Sequence, residues 1–446
     1  MSSPVLGPHI VRYGFAGDQY LLALFENTFD QLILNAKIVA HMGSGLSAFL
    51  LNNLLGKPYV IDPQTYSFQH DASYLESSSR PGEISRTFSK LIDCYGPPLD
   101  LISRGPLRFV SPAEFAQGSV LEKFCARVVD FQRTALTSHS AGQDSAKYIR
   151  FAERKSGKKI HEFGPALLVA PYFYLDSLGW QEWLDINIEA VVLVKSKAKK
   201  TDPPIAAQLV LSKDLLLDGS ALSRILAKYA AVKPDAILLW IDSFQENESS
   251  QTELQAFVNL ASRLSKVASV VNLYGGFFSE LLVRAGIFAG AAHGLEYGED
   301  RPVLPIGGGV ASARYYMPCL HVRMLHRDAL RVARGIGALA DQAVFFKKVC
   351  DCPTCQEIIT DPNTDFALFG LRKPGKDGKP YPTATTRDIC AKHYMHLKKR
   401  EFASHDSMSV AVNKLRTTST QMKDQVEARL IAHLSRWIGA LEKHGE

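Results

Sequence analysis

Long uncharged apolar runs are missing from this chain. None reaches the ~20 residues that a membrane-spanning helix needs, so no membrane association is expected. The opening stretch MSSPVLGPHIVRYGFAGD has no basic segment followed by an apolar core, which argues against a secretory leader. Charge of one sign is not in large excess either: the formal net charge is +6 over 446 residues, which permits a nucleic-acid partner without demanding one. Cysteine is scarce, with seven in all, so a disulfide scaffold is not expected. A soluble, cytoplasmic protein is the expectation. With 46% hydrophobic and 22% charged residues the composition is ordinary for a globular chain, long enough for two or three domains or for one barrel with insertions.

The few cysteines present are unevenly spread, and four lie between positions 350 and 390. Three stand in Cys350-Asp351-Cys352-Pro353-Thr354-Cys355. Thiolates at C-x-C-x-x-C spacing can converge on one centre through a tight turn. A fourth ligand would close a tetrahedron around Zn²⁺ with no open position, the structural arrangement. Cys390, His393 and His396 are the candidates for it. Unrelated free cysteines explain three thiols in six residues poorly, and Cys350 and Cys352 are too close in sequence to pair as a disulfide.

Along the chain, 58–63 reads as a short buried strand that stops at Asp62 and a proline. Residues 64–160 are mixed and polar, with a clear helix at about 119–138. Strand runs follow at 166–174, 188–194 and 205–212, with a four-lysine loop at 195–200. From 218 onward helices alternate with apolar runs at 236–241, 268–274, 287–291 and 314–320. Short apolar runs alternating with helices mark parallel βα units. Their repetition favours a (β/α)₈ TIM-type barrel with insertions over an open doubly wound sheet. The expected division is 1–345 for the barrel, with a large insertion around 64–160, and 346–446 for a zinc-binding lobe and an amphipathic C-terminal helix.

In a barrel the chemistry sits where strands end. Those ends read Asp62, Asp242, Tyr274-Gly275-Gly276, His293-Gly294-Leu295-Glu296-Tyr297-Gly298-Glu299 and Met317. Each alone has an ordinary explanation, a helix cap or a tight turn. In this order, ahead of a thiol cluster, the segment from about 236 to 400 resembles the queuine/archaeosine tRNA-guanine transglycosylases. Leu239-Trp240-Ile241-Asp242, the Tyr274-Gly275-Gly276 turn, the Gly294-Leu295 loop, Arg314-Tyr315-Tyr316-Met317, Ala333-Arg334-Gly335 and the Cys350/Cys352/Cys355 set with His396-Leu397 carry the resemblance.

That resemblance implies exchange of guanine in tRNA or DNA for a 7-deazaguanine base through a covalent carboxylate intermediate. It assigns Asp341 as nucleophile and Asp62 as general acid/base. Asp242, Tyr274, Gly275, Gly294, Leu295 and Met317 would bind the base. Cys350, Cys352, Cys355 and His396 would hold structural zinc, with Cys390 as the alternative fourth ligand. The implied partners are nucleic acid and the base, with a homodimer as a possible assembly. The sequence departs from the family around Asp341, where the Pro-Thr-Arg sequel is missing, and at Tyr274, which stands for a glutamine. A relative that binds the base or nucleic acid without turnover is the alternative function.

Overall fold

The computed structural model describes residues 6–15, 17–54, 57–105, 107–137, 150–151, 153–154, 157, 163–296, 298–304, 312–375, 378 and 380–445. Its centre is one sheet of eight parallel strands: β1 (His9–Tyr13), β2 (Gln31–Asn35), β3 (Tyr59–Asp62), β4 (Leu168–Val169), β5 (Ile205–Leu211), β6 (Ala236–Ile241), β7 (Ser269–Asn272) and β8 (Gly290–Gly294). Their spatial order is β3-β2-β1-β8-β7-β6-β5-β4. The edge strands then approach each other: Val60 and Leu167 form a parallel bridge, and the Ala166 N–H donates to the Tyr59 carbonyl at 2.7 Å. The sheet is thus nearly closed into a barrel, with neighbours in chain order and crossovers between them.

Alternation along each strand separates two apolar clusters. Ile10, Ile33, Val60, Val169, Ala206, Val210, Leu238, Trp240, Val271 and Ala292 fill the interior. The residues between them, such as Val11, Leu32, Ile61, Leu209 and Leu239, face the surrounding helices. Each strand is therefore buried on both sides, which is why the runs read as continuous apolar stretches.

Helix α1 (Ala36–Asn53) follows β2, and α2 (Val120–Thr134) lies in the long connection between β3 and β4. In α2 Leu121, Phe124, Cys125, Val128 and Val129 are buried at helical spacing. Helix α3 (Trp180–Ser196) corrects the expected strand at 188–194. Trp183, Leu184, Asn187, Ala190, Val191 and Val194 form its buried stripe, and the Asn187 amide holds the Phe173 backbone by two hydrogen bonds of 2.7 and 2.8 Å. Packing at a 3.6-residue period overrides the strand preference of its β-branched residues. The expected lysine loop at 195–200 begins as the end of this helix, where Lys195 donates to the Val232 carbonyl at 3.2 Å.

Helices α4 (Gly219–Val232), α5 (Gln251–Leu264) and α6 (Phe277–Arg284) complete the alternation. α5 starts at a capping box, with Ser250 Oγ accepting from the Glu253 N–H and the Glu253 carboxylate accepting from the Ser250 N–H.

The sheet ends at β8, which moves the next expected strand out of it. Strands β9 (Arg314–Met317) and β10 (Val322–Leu325) form a separate antiparallel hairpin. Beyond it come α7 (Gln342–Lys348), α8 (Pro353–Ile358), α9 (Ala384–Phe402) and α10 (Ala428–Gly445). α10 packs along α5, with Trp437 Nε1 donating to the Glu246 carbonyl at 2.8 Å. No helix among the described residues is long and apolar enough to cross a membrane.

Candidate functional site

Asp62 and Asp242 stand at the carboxyl ends of β3 and β6, on one rim of the sheet. Asp62 is buried, with Oδ2 accepting from Arg12 Nη2 at 3.0 Å and Oδ1 from the Tyr172 hydroxyl at 2.6 Å and the Gln64 N–H at 3.1 Å. Arg12 Nη2 also donates to Asn35 Oδ1 at 3.2 Å, so β1, β2 and β3 each place one polar side chain in this cluster. Asp242 is half-buried; its Oδ1 accepts from the Val303 N–H at 2.8 Å and Ser243 Oγ at 3.0 Å, and its Oδ2 from the Tyr174 hydroxyl at 3.1 Å.

An aromatic wall starts at Asp62, whose partner Tyr172 is its first ring. Tyr172 stacks on Tyr66, Tyr66 meets Trp240 edge-on at 5.1 Å, and Trp240 lies 5.1 Å from Tyr274. Arg301 is tied to the same wall: Nη1 donates to the Tyr274 hydroxyl at 3.3 Å, and its carbonyl accepts from Trp240 Nε1 at 3.0 Å. Burial pushes the Lys37 ammonium down to about 8, with Arg301 lowering it further and Asp62 raising it. Burial also pushes the His70 imidazole, near Asp242, down to about 4. A carboxylate offers about four lone-pair sites, and three are taken on each aspartate by the contacts above, so each has acceptor capacity for one more donor.

The remaining expected base-binding residues divide. Tyr274 is on the wall, but one face of its ring carries the Arg12 guanidinium at 4.5 Å, so it offers no open face on that side. Gly275 follows it, and a Cβ there would come within 2.7 Å of the Ser279 Cβ; only glycine fits this turn. The carbonyls of Gly294 and Leu295 accept from Arg323 of β10, at 3.4 and 2.5 Å, and so turn toward the hairpin. Met317 is fully buried in that hairpin and does not end a barrel strand.

Asp341 requires a correction. It is exposed and caps α7, its Oδ1 accepting from the Val344 N–H at 2.8 Å. The sequence around it continues neither a strand nor the barrel, because β8 already closes the sheet against β1.

The thiols do converge. Cys350, Cys352, Cys355 and His393 are buried, with ligand atoms all within 4.8 Å of one another, and could hold a metal ion. His393 Nδ1 lies 3.7 Å from Cys350 Sγ, 3.3 Å from Cys352 Sγ and 3.3 Å from Cys355 Sγ. Bonds of about 2.3 Å to sulfur and about 2.05 Å to nitrogen give a tetrahedral edge of roughly 3.6 Å, so the donor set fits a tetrahedral ion. The Cys352 N–H points at Cys350 Sγ (3.3 Å) and the Cys355 N–H at Cys352 Sγ (3.4 Å), interactions that favour thiolates.

The fourth position therefore belongs to His393 and corrects the expectation of His396. The latter, three residues further along α9, points away and meets the Phe25 ring edge-on at 4.8 Å. Cys390 lies apart as well, its thiol donating to the Phe369 carbonyl at 3.5 Å, and burial pushes it up to about 12.

Several residues of these sites carried no signal in the sequence. Arg12 lies in a strand too short and polar to be recognised, and Arg301 and Tyr172 lie in irregular segments. The Ile10-Val11 pair and Tyr13 flanking Arg12 are the one clue that could have pointed to it. On the same helix as His393, fully buried Lys398 of α9 pairs with Glu280 of α6 and lies 3.1 Å from Glu401. Burial works against its charge, but these carboxylates outweigh that and keep it protonated. No protein-family model matches the chain, and no curated protein matches it in sequence.

Proposed function

We propose that this chain is a base-binding barrel of the tRNA-guanine transglycosylase type, holding structural zinc, that recognises a guanine or 7-deazaguanine base of tRNA or DNA without covalent turnover. The observation that carries it is the aromatic wall that starts at Asp62 and is linked to Asp242 through Trp240, which donates to the Arg301 carbonyl, and the Val303 N–H, which donates to Asp242. Flat rings and a carboxylate with a spare lone pair suit a planar base with N–H groups on its edge. The placement of Asp341 favours binding over exchange, because its carboxylate caps an exposed helix end. Zinc follows from the donor set: three thiolates and one imidazole fill a tetrahedron and leave no position for a substrate.

The test is calorimetry of guanine and 7-deazaguanine with the full chain, beside incubation of labelled guanine with tRNA and with DNA. The expected result is binding that weakens about tenfold or more in Asp242→Asn, since the amide offers one acceptor atom in place of two, and no label in either polymer. Label entering tRNA or DNA would establish exchange instead. Absence of binding to either base would overturn the proposal.

A further inference from the structure

The barrel mouth holds more positive charge than its base-binding role needs. Arg12 and Arg301 meet at the Tyr274 ring beside the buried carboxylate of Asp62, and Lys37, whose ammonium lies over the Phe88 ring at 4.7 Å, is near enough to feel the same charge. Arg12 pairs with it at 3.0 Å. Lys37 and Arg301 both feel its charge, and Lys37 is repelled by Arg301. Among the described residues neither Lys37 nor Arg301 forms an ion pair with any carboxylate, and Asp242 is engaged by Tyr174, Ser243 and Val303.

The second observation is independent of charge counting. Arg12 is only 5% exposed, yet its Nη1 has no hydrogen-bond partner among the described residues. A buried guanidinium nitrogen without an acceptor keeps its full desolvation penalty, and stacking on Tyr274 at 4.5 Å satisfies the ring face rather than the N–H groups. We propose that Arg12, Lys37 and Arg301 form a phosphate-binding subsite at the barrel mouth, beside Asp62 and the Tyr274 ring. Guanidinium forks match tetrahedral phosphate oxygens in pairs, and a lysine adds a point charge. Arg301 comes from the segment whose backbone is pinned to Trp240 and Asp242, so the phosphate would sit next to the aromatic wall. The inference rests on the base-binding reading and deepens it: the ligand is a nucleotide unit, a base with its phosphate, rather than a free base.

The experiment is competition calorimetry on the full chain with guanine, guanosine 5′-monophosphate and inorganic phosphate. The monophosphate should bind at least about tenfold more tightly than guanine, and inorganic phosphate should compete with it. Lys37→Gln and Arg301→Gln should each reduce monophosphate affinity about tenfold or more, the worth of one charged hydrogen bond, and guanine affinity by distinctly less. Arg301→Lys, which keeps the charge, should lose less. Far-ultraviolet circular dichroism identifies any variant that fails to fold, and the other variants then decide the question.

Equal affinity for guanine and the monophosphate, with no competition by phosphate, would overturn the subsite while leaving the base reading standing. Arg301-dependent phosphate binding with no affinity for guanine would do the reverse: the subsite stands and the base reading falls.

Discussion

His393 of α9 donates from Nε2 to the Tyr316 carbonyl of β9 at 2.7 Å, which leaves Nδ1 to face the three thiols. That one bond selects the tautomer and fixes the ring, the second half of a metal site. The Tyr315 ring stacks on the same imidazole at 4.2 Å, so the hairpin grips it from two directions. The cluster thus joins three segments, β9, the turn at 350–355 and α9, and the Tyr316 hydroxyl donating to Glu401 at 2.6 Å ties β9 to α9 a second time.

The first prediction concerns this site. Purified protein should carry about one zinc per chain by elemental analysis. His393→Ala and Cys352→Ser should lose it and lower the thermal midpoint, because binding free energy of a structural ion is folding free energy. His396→Ala and Cys390→Ser should retain the metal. Full zinc content in His393→Ala would refute the assignment of the fourth ligand.

Asp341 gives the second. As an exposed cap of α7 it should contribute about 1 kcal/mol, so Asp341→Ala should lower stability by that amount in urea unfolding. Binding of guanine or its nucleotide should not change. A loss of ligand affinity in a folded Asp341→Asn variant would return this residue to the site.

Glu246 gives the third. Burial pushes its carboxyl up to about 7, although its oxygens accept from the Gly276 N–H at 3.0 Å and the Ser279 hydroxyl at 2.5 Å. A folded-state value above the unfolded one means that its contribution is fully present below about pH 4.5 and is lost as pH rises through about 7. Across that window wild type should lose on the order of 3 kcal/mol relative to Glu246→Gln, which keeps the acceptor and cannot ionise. Unfolding curves for both proteins at pH 4.5, 6 and 8 measure the difference; parallel behaviour would reject it.

The sequence made β3, β5, β6 and β7 legible because their runs are apolar on both faces and end in recognisable turns. β1 and β2 were not, since His9, Arg12, Gln31 and Asn35 break their apolar character. Arg12 and Asn35 serve the cluster around Asp62 and His9 a contact with β8, neither of which has a local sequence signature. The apolar run at 314–320 reads like the barrel strands before it, and only its antiparallel pairing with 322–325 sets β9 apart; Asp341, expected from the resemblance alone, has no strand around it. The thiol cluster was legible from spacing alone. The choice among histidines was not, because His393 and His396 lie three apart on one helix and only the positions of Tyr316 and Phe25 distinguish their faces.

The pairing of β1 with β8 also governs how the chain is made. His9 Nε2 meets His293 Nε2 at 2.9 Å across 284 positions of sequence. At about 5–20 residues per second, one edge of β1 waits on the order of tens of seconds for its partner during synthesis. Such an edge is a template for strand pairing with other chains. Long-range closure of this kind is slow as well, because the loop entropy comes before the reward. A nascent chain stalled before Gly290 therefore has every strand except the one that completes the ring, and is the species most exposed to aggregation or to capture by a chaperone.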